Sequence, residues 1–447
     1  MNAKFSILTS AALITLRTVS AAPQDTLRLS LRQVMDTARS AAVSVQLARS
    51  HSAEMEASVG EARGALLPHL GASATDGIRS EDLPAQGLSA AAFGFTGPNA
   101  PVIPNLIPPF NYQDARVNAS ISLVDISAWK RYEASLRENE GSQWDEQAAS
   151  EDAVMAAAAA YLDLARARAL ISARDSELVI AQQLDTLTLA QKQAGSLTRI
   201  EVLRAQGQLS SAQSARAAAS GQEEQARFAL LRILGLNMAT YPELTDTLSL
   251  EGGNAEVSDS SSVDAAVSSR PEVLSADKQA EAARENLGAL KAGYLPTLNV
   301  GGDYGLSGRR LDGNAEWTED LVVQLNWSLW DGGTRDAKQS EQHERLRQAE
   351  IRQHDTRDAV EQDFRTSASS MRATREQATH ALDQVRFAEE EARLAQERFA
   401  AGGSGNLEVI TAQNSLSLAH DGYIDALYGY NRARLAFLRA AHRLSEF

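Results

Sequence analysis

The chain repeats itself once, and no other feature restricts its fold as much. Ala226-Arg227-Phe228-Ala229-Leu230-Leu231-Arg232 returns 207 residues later as Ala433-Arg434-Leu435-Ala436-Phe437-Leu438-Arg439. At the same offset Glu201-Val202-Leu203 meets Glu408-Val409-Ile410, Ala205-Gln206 meets Ala412-Gln413, and Ala194-Gly195 meets Ala401-Gly402. Ser122-Leu123-Val124-Asp125 matches Ser328-Leu329-Trp330-Asp331 at offset 206, and Leu67-Pro68 matches Leu295-Pro296 at offset 228. Alanine-rich composition would explain the Ala matches but not the Pro, Gly and Asp landmarks. The two halves are therefore equivalent, and the first carries an insertion of about twenty residues before Asp125.

Each half reads as a helix, a strand, a loop, a strand and two long helices. Ala115, Val117, Ala119, Ile121 and Leu123 alternate with Arg116, Asn118, Ser120 and Ser122. In the second half Leu321, Val323, Leu325, Trp327 and Leu329 alternate with Gln324, Asn326 and Ser328, and Leu298, Val300, Tyr304 and Leu306 share a face. This period of two over about ten residues suits strands with lipid on one side and water on the other; a half-buried soluble sheet has the same period. The most apolar helical stretch, Ala153 to Leu162, is half the roughly 20 residues a spanning helix needs. A membrane crossing would then fall to the strands, in a closed barrel. Four strands cannot close one, since single-chain barrels start at about eight, so several copies must share it.

The helices are predicted to be very long. Lys130 to Gln191 has no proline and almost no glycine, and Asp336 to Phe399 has neither. About sixty residues at 1.5 Å each make roughly 90 Å. Val360, Phe364, Met371, Ala378, Leu382, Val385, Ala388, Ala392, Ala395 and Phe399 follow the spacing of a heptad seam. Asp125 and Asp331 stand where strand turns to helix and read as caps, whose carboxylates accept backbone N–H groups. Ala194-Gly195-Ser196 and Ala401-Gly402-Gly403-Ser404-Gly405 read as tight turns between antiparallel helices.

Composition excludes more than it assigns. A net charge of -15 argues against a nucleic-acid surface, and the absence of cysteine removes disulfides and thiolate chemistry. No HExxH, Gly-x-Ser-x-Gly or phosphate-loop motif occurs, and His343 and His354 lack a third ligand. No enzyme activity, metal or cofactor is expected. Lys4, the apolar run Phe5 to Leu16, and Val19 and Ala21 before a cleavage point read as a secretory signal peptide.

Leu329-Trp330-Asp331-Gly332-Gly333 and the tract Phe399 to Gln413, duplicated and in order, resemble the TolC family of outer-membrane efflux proteins over nearly the whole mature chain. The resemblance implies a mainly α protein with membrane β: a homotrimer whose twelve-stranded outer-membrane barrel, four strands per protomer, continues into a long periplasmic α-helical barrel. The expected divisions are a signal peptide at 1–21, a first repeat at 22–236, an equatorial linker at 237–263 and a second repeat at 264–447. The implied function is a passive exit duct for an inner-membrane pump, proton-driven or ATP-driven, with a periplasmic adaptor and outer-membrane lipid as further partners. Export of proteins by a type I system remains an alternative, as does a structural coiled-coil protein of the periplasm.

The same resemblance places a periplasmic gate at the helix tips. Glu408, with its counterpart Glu201, is the candidate acidic ring. Phe399 and Ser404 stand where relatives carry a tyrosine and an arginine, so packing by Phe399, or Arg398, is expected to replace that latch. Ala194, Gly195, Ser196, Leu197, Gly402, Gly403, Ser404 and Gly405 are the candidate adaptor-docking tips. The insertion, Leu83 to Phe110, is expected to form the first extracellular loop, longer than the second at Ser307 to Glu319.

Overall fold

The structure is a computed structural model that describes residues 26–88, 92, 94, 102–195, 197–246, 250, 260–313 and 315–444. The expected signal peptide, Ser196, and parts of the insertion (89–91, 93, 95–101) and of the linker (247–249, 251–259) lie outside the described residues.

In chain order the elements are β1 (Thr26–Leu29), α1 (Leu31–Ala41), α2 (Val43–Gly64), β2 (His69–Asp82), β3 (Leu106–Val124), α3 (Ile126–Gln193), α4 (Arg199–Leu234), β4 (Tyr241–Leu244), α5 (Ser260–Ser269), α6 (Pro271–Ala292), β5 (Thr297–Gly308), β6 (Ala315–Asn326), α7 (Thr334–Ala400) and α8 (Asn406–Ala440). The plan read from the repeat is present in both halves. α3 and α7 run 68 and 67 residues without a break, which the lack of Pro in both permits; α7 has no Gly either, and α3 tolerates its one glycine, Gly141. The heptad seam of α7 is buried throughout except at Leu382, which is half-buried beside a buried Ala381.

Two compact units divide the chain, and they cut across the repeat. The first draws on the segment up to Val43, on Asp152–Ala255 and on Ser369–Ala436. Within it β1 and β4 pair in parallel, Leu29 opposite Leu244. Ser30 caps α1 in a capping box with Gln33. Tyr161, fully buried, donates its hydroxyl to Asp246 Oδ2 at 3.2 Å, and the Leu31 amide donates to the same oxygen at 2.5 Å. Burial pushes the Tyr161 phenol up to about 12, so it stays a neutral donor. This ribbon was not visible in the sequence.

The second unit takes in Ser44–Glu151, Glu256–Ala368 and the chain from Phe437 on. It holds a four-stranded antiparallel sheet in the order β2-β3-β5-β6. Val117 lies opposite Ala72 and Tyr304, Ala119 opposite Leu70 and Gly302, and Val300 opposite Val323, so the apolar positions of all four strands share one face. Tyr304 and Trp317 stack on that face with ring centroids 4.9 Å apart. Three expectations need correction. The second loop, expected at Ser307 to Glu319, shrinks to 309–314, because β5 runs to Gly308 and β6 starts at Ala315 and the two stay paired to that point. β6 ends at Asn326, so Trp327 and Leu329 lie beyond it; the Trp327 indole instead donates to the Tyr294 carbonyl at 3.1 Å. β3 begins at Leu106, inside the expected loop. The strand absorbs Pro108 and Pro109, which cannot donate to a ladder, where the register slips between Arg79 and Glu81.

At the other end of this unit Arg270, 2% exposed, donates to both carboxylate oxygens of Glu272 at 2.8 and 3.1 Å and to the Arg439 carbonyl at 3.4 Å. Arg439 also reaches Glu272 at 2.9 Å, and His442 reaches Glu151 at 3.1 Å. The last turn of α8 is thus held to α6 through Arg439, and the residue His442 just beyond it contacts α3.

Candidate functional site

The two tip turns are built from the same glycine. Gly195 (φ 79) and Gly402 (φ 72) both take the left-handed conformation that closes an α-helix, their amides donating to the carbonyls of Lys192 and Phe399, each at 3.0 Å. Ala194, Gly195, Gly402, Gly403 and Gly405 are exposed at these turns, while Leu197 turns inward.

Behind the turns lies one small core fed by four helices. Leu184 of α3, Ala205 of α4, Ala392, Ala395 and Phe399 of α7, and Val409 and Ala412 of α8 pack together, joined by Leu197, Ile410 and Leu416. Phe399 is 4% exposed, so its ring packs inside its own chain. Ala205 and Ala412, equivalent in the repeat, meet here because alanine lets the hairpins approach closely. Asn406 reinforces the junction. Its side chain is wholly buried and its Nδ2 donates to the Glu201 carbonyl at 2.7 Å. Sequence reasoning placed Asn406 at the end of the second tip turn and missed this contact, which joins residues 205 positions apart.

The two equivalent glutamates do different things. Glu201 closes a capping box: its Oε2 accepts from the Thr198 amide at 2.7 Å and from the Thr198 hydroxyl at 2.9 Å. Those bonds, the amide first, hold its carboxyl below the usual range. Gly405 occupies the place of Thr198 and has no hydroxyl, so Glu408 is left to Arg398, whose Nη1 lies 2.7 Å from Oε1. Arg398 projects into solvent on one side of an open groove lined by Glu391, Leu394, Leu407 and Glu408, with a volume near 720 Å³.

The strand-to-helix aspartates also differ. Asp125 directly precedes α3 and accepts from the Ala128 amide at 2.8 Å. Asp331 stands further from α7, separated by Gly332 (φ 71) and Gly333 (φ 84). Its carboxylate accepts from the Arg335 amide at 3.1 Å and from Arg335 Nε at 3.0 Å, while Arg335 Nη1 donates to the Gly293 carbonyl at 3.0 Å.

A two-faced four-stranded sheet, paired long helical hairpins and an internal duplication are the architecture of the outer-membrane channel class. The profile of the family described as outer membrane efflux protein matches residues 34–236 and 263–441, so the chain belongs to that family. It is an outer-membrane protein whose family extends into the periplasm. It is 25% identical over 302 residues to the outer membrane efflux protein BepC of Brucella suis biovar 1, an alignment spanning 65% of this chain and 63% of BepC. The fold matches the Campylobacter jejuni CmeC outer membrane channel with a TM-score of 0.81 at 18% identity, over 93% of this chain and 86% of CmeC. It matches the open state of the Neisseria gonorrhoeae MtrE outer membrane channel with a TM-score of 0.78 at 20% identity, over 93% and 89% of the two chains.

Proposed function

We propose that the protein is the outer-membrane exit duct of a tripartite efflux pump, a passive conduit with no catalytic role of its own. The observation that carries this reading is the sheet. One face is mainly apolar, the other polar, and among the described residues no further strand pairs with the outer edges of β2 and β6. Open edges are not tolerated in lipid, and pairing β6 of one copy with β2 of the next removes them. Three copies then close a barrel of twelve strands, the helical hairpins continuing it below the membrane. An inner-membrane pump, proton-driven or ATP-driven, supplies the energy, and a periplasmic adaptor docks on the tip turns, through the exposed Ala194, Gly195, Gly402, Gly403 and Gly405, with the half-buried Leu197 and Ser404 shaping the turns from within.

At the periplasmic entrance Glu408 is the acidic residue available to a ring, because Glu201 is engaged by Thr198. Arg398 partly neutralises Glu408, and Phe399 stiffens the tip from within. The efflux duty is supported by the names of relatives such as BepC. The experiment is purification from outer membranes in detergent, with molar mass by light scattering and conductance in planar bilayers. The expected result is a three-chain particle that conducts. A monomer that is soluble without detergent would sink the reading.

A further inference from the structure

The polar face of the sheet carries one charged belt. On the helix side of it that face carries no Asp, Glu, Lys or Arg: His69 on β2, Ser120 and Ser122 on β3, Asn299 and Gly301 on β5, Val322 and Gln324 on β6. At the belt itself Arg116 lies between two carboxylates. Its Nε donates to Asp114 Oδ1 at 2.6 Å and its Nη1 to Asp303 Oδ1 at 2.7 Å. The Tyr112 hydroxyl donates to Asp114 Oδ2 at 2.8 Å, which fixes that carboxylate from the other side. Directly across the ladder from Asp303 stands Asp320, exposed and on the same face.

The clamp is built into the backbone. Arg116 pairs in register with Gly305, and a Cβ at that glycine would lie 2.4 Å from Arg116 Cβ and 2.3 Å from the Ala115 carbonyl oxygen. Only glycine allows β3 and β5 to close there, and that approach lets the guanidinium lie along the wall instead of standing out from it. Arg116 is therefore held against the sheet, its charge spent on Asp114 and Asp303. Glu316, in register with Ser307 on the rung of Asp114, is exposed on the same face, so four carboxylates against one guanidinium leave an excess of three negative charges per chain, and among the described residues Asp320 has no cation beside it in the ladder.

We propose that this belt is a second selectivity element of the duct: Asp320 and Asp303 favour cations in the membrane barrel itself, independently of the helix tips. The inference rests on the exit-duct reading, in which the polar face lines a water-filled lumen. Charge rings at a lumen wall set the local concentration of permeant ions. With three copies the excess acts on every permeating ion from all sides.

The test uses the full-length protein in planar lipid bilayers under a KCl gradient, reading the ratio of K+ to Cl− permeability from the reversal potential. Asp320 takes no part in the clamp, so its variants leave the wall intact. Asp320→Asn is expected to lower the ratio about twofold, and Asp320→Lys to lower it further. Arg116→Gln is expected to move it the opposite way. A protein that conducts but keeps its ratio in both Asp320 variants overturns this inference alone. A protein that forms no channel in any form counts against the exit-duct reading instead.

Discussion

Arg398 Nη1 stands 2.7 Å from Glu408 Oε1, whereas Glu201, which the repeat equates with Glu408, has turned back onto Thr198. Two substitutions between the halves account for the difference: Thr198 becomes Gly405, and Gln191 becomes Arg398. The stability consequences differ accordingly. Arg398 and Glu408 are 63% and 40% exposed in their side chains, so solvent screens the pair and Glu408→Gln should cost well under about 1 kcal/mol. Glu201→Gln weakens a capping box at the start of α4 and should cost about 0.5–1 kcal/mol. Glu201's carboxyl is depressed in the folded state, so its contribution is present above the ordinary carboxylate value and lost as pH falls through the lower folded value. Thermal unfolding in detergent at pH 7 should therefore show the larger drop in Tm for Glu201→Gln. The reverse order would make Glu408 the structural residue.

Asn406 ties the second hairpin to the first within one chain, since the acceptor of its amide is the Glu201 carbonyl of α4. Removing it should cost about 1 kcal/mol for the lost hydrogen bond. Asn406→Asp, nearly identical in shape, should cost more than Asn406→Ala, because it puts a carboxylate where a donor was and buries its charge. Phe399→Ala, in the adjoining core, should cost about 3–5 kcal/mol. Limited proteolysis near the tips checks all three, with cleavage fastest in Phe399→Ala and slowest in the native protein. Equal resistance in Asn406→Asp and native protein would mean that the two hairpins are not joined at this point.

What could be read in the sequence was what local chemistry dictates. Gly195 and Gly402 mark turns because a positive φ favours glycine, and the repeat placed both. Asp125 announces α3 through a bond to an amide three residues away. The sheet was legible from alternation, but alternation does not stop where pairing stops, which is why Trp327 and Leu329 looked like strand beyond Asn326. Contacts between residues distant in sequence were not legible. Asn406 meets Glu201 across 205 positions, and β1 meets β4 through only four residues, too few for a periodic signal. The division between Glu201 and Glu408 was legible in principle, since Thr198-x-x-Glu201 is a capping-box pattern that Gly405 lacks. The similarity of the halves drew attention away from it.

Glu151 should respond to pH in the opposite sense from Glu201. Burial pushes its carboxyl up, against the attraction of His442 at 3.1 Å, and its Oε2 is buried without a hydrogen-bond partner. Its folded value lies above the unfolded one. The stability it contributes is thus full below the ordinary carboxylate value and lost as pH rises through the folded value. Near neutral pH its charge is a cost, offset in part by His442, Arg270 and Arg439. Glu151→Gln should therefore raise Tm at pH 7, with the gain shrinking as the medium is acidified. Thermal unfolding across that range checks it. A lower Tm at pH 7 would mean that the charge–charge attraction to His442 outweighs the burial penalty.

Val117 and Asn118 are neighbours on β3 that point to opposite faces, Val117 opposite Ala72 and Tyr304, Asn118 opposite Gly71 and Asp303. If Val117's face meets lipid, Val117→Arg places a guanidinium in hydrocarbon and should cost about 2–4 kcal/mol near the bilayer midplane, less toward either surface. Asn118→Arg puts the same side chain on the face that meets water, beside Asp303, where its charge is hydrated and partly compensated. The expected outcome is loss of folded protein from the outer-membrane fraction for Val117→Arg and near-normal recovery for Asn118→Arg. Equal losses would point to a steric limit at this level of β3. The inverse pattern would turn the sheet inside out, with its polar face toward lipid, and the barrel closed by three copies would have to be abandoned.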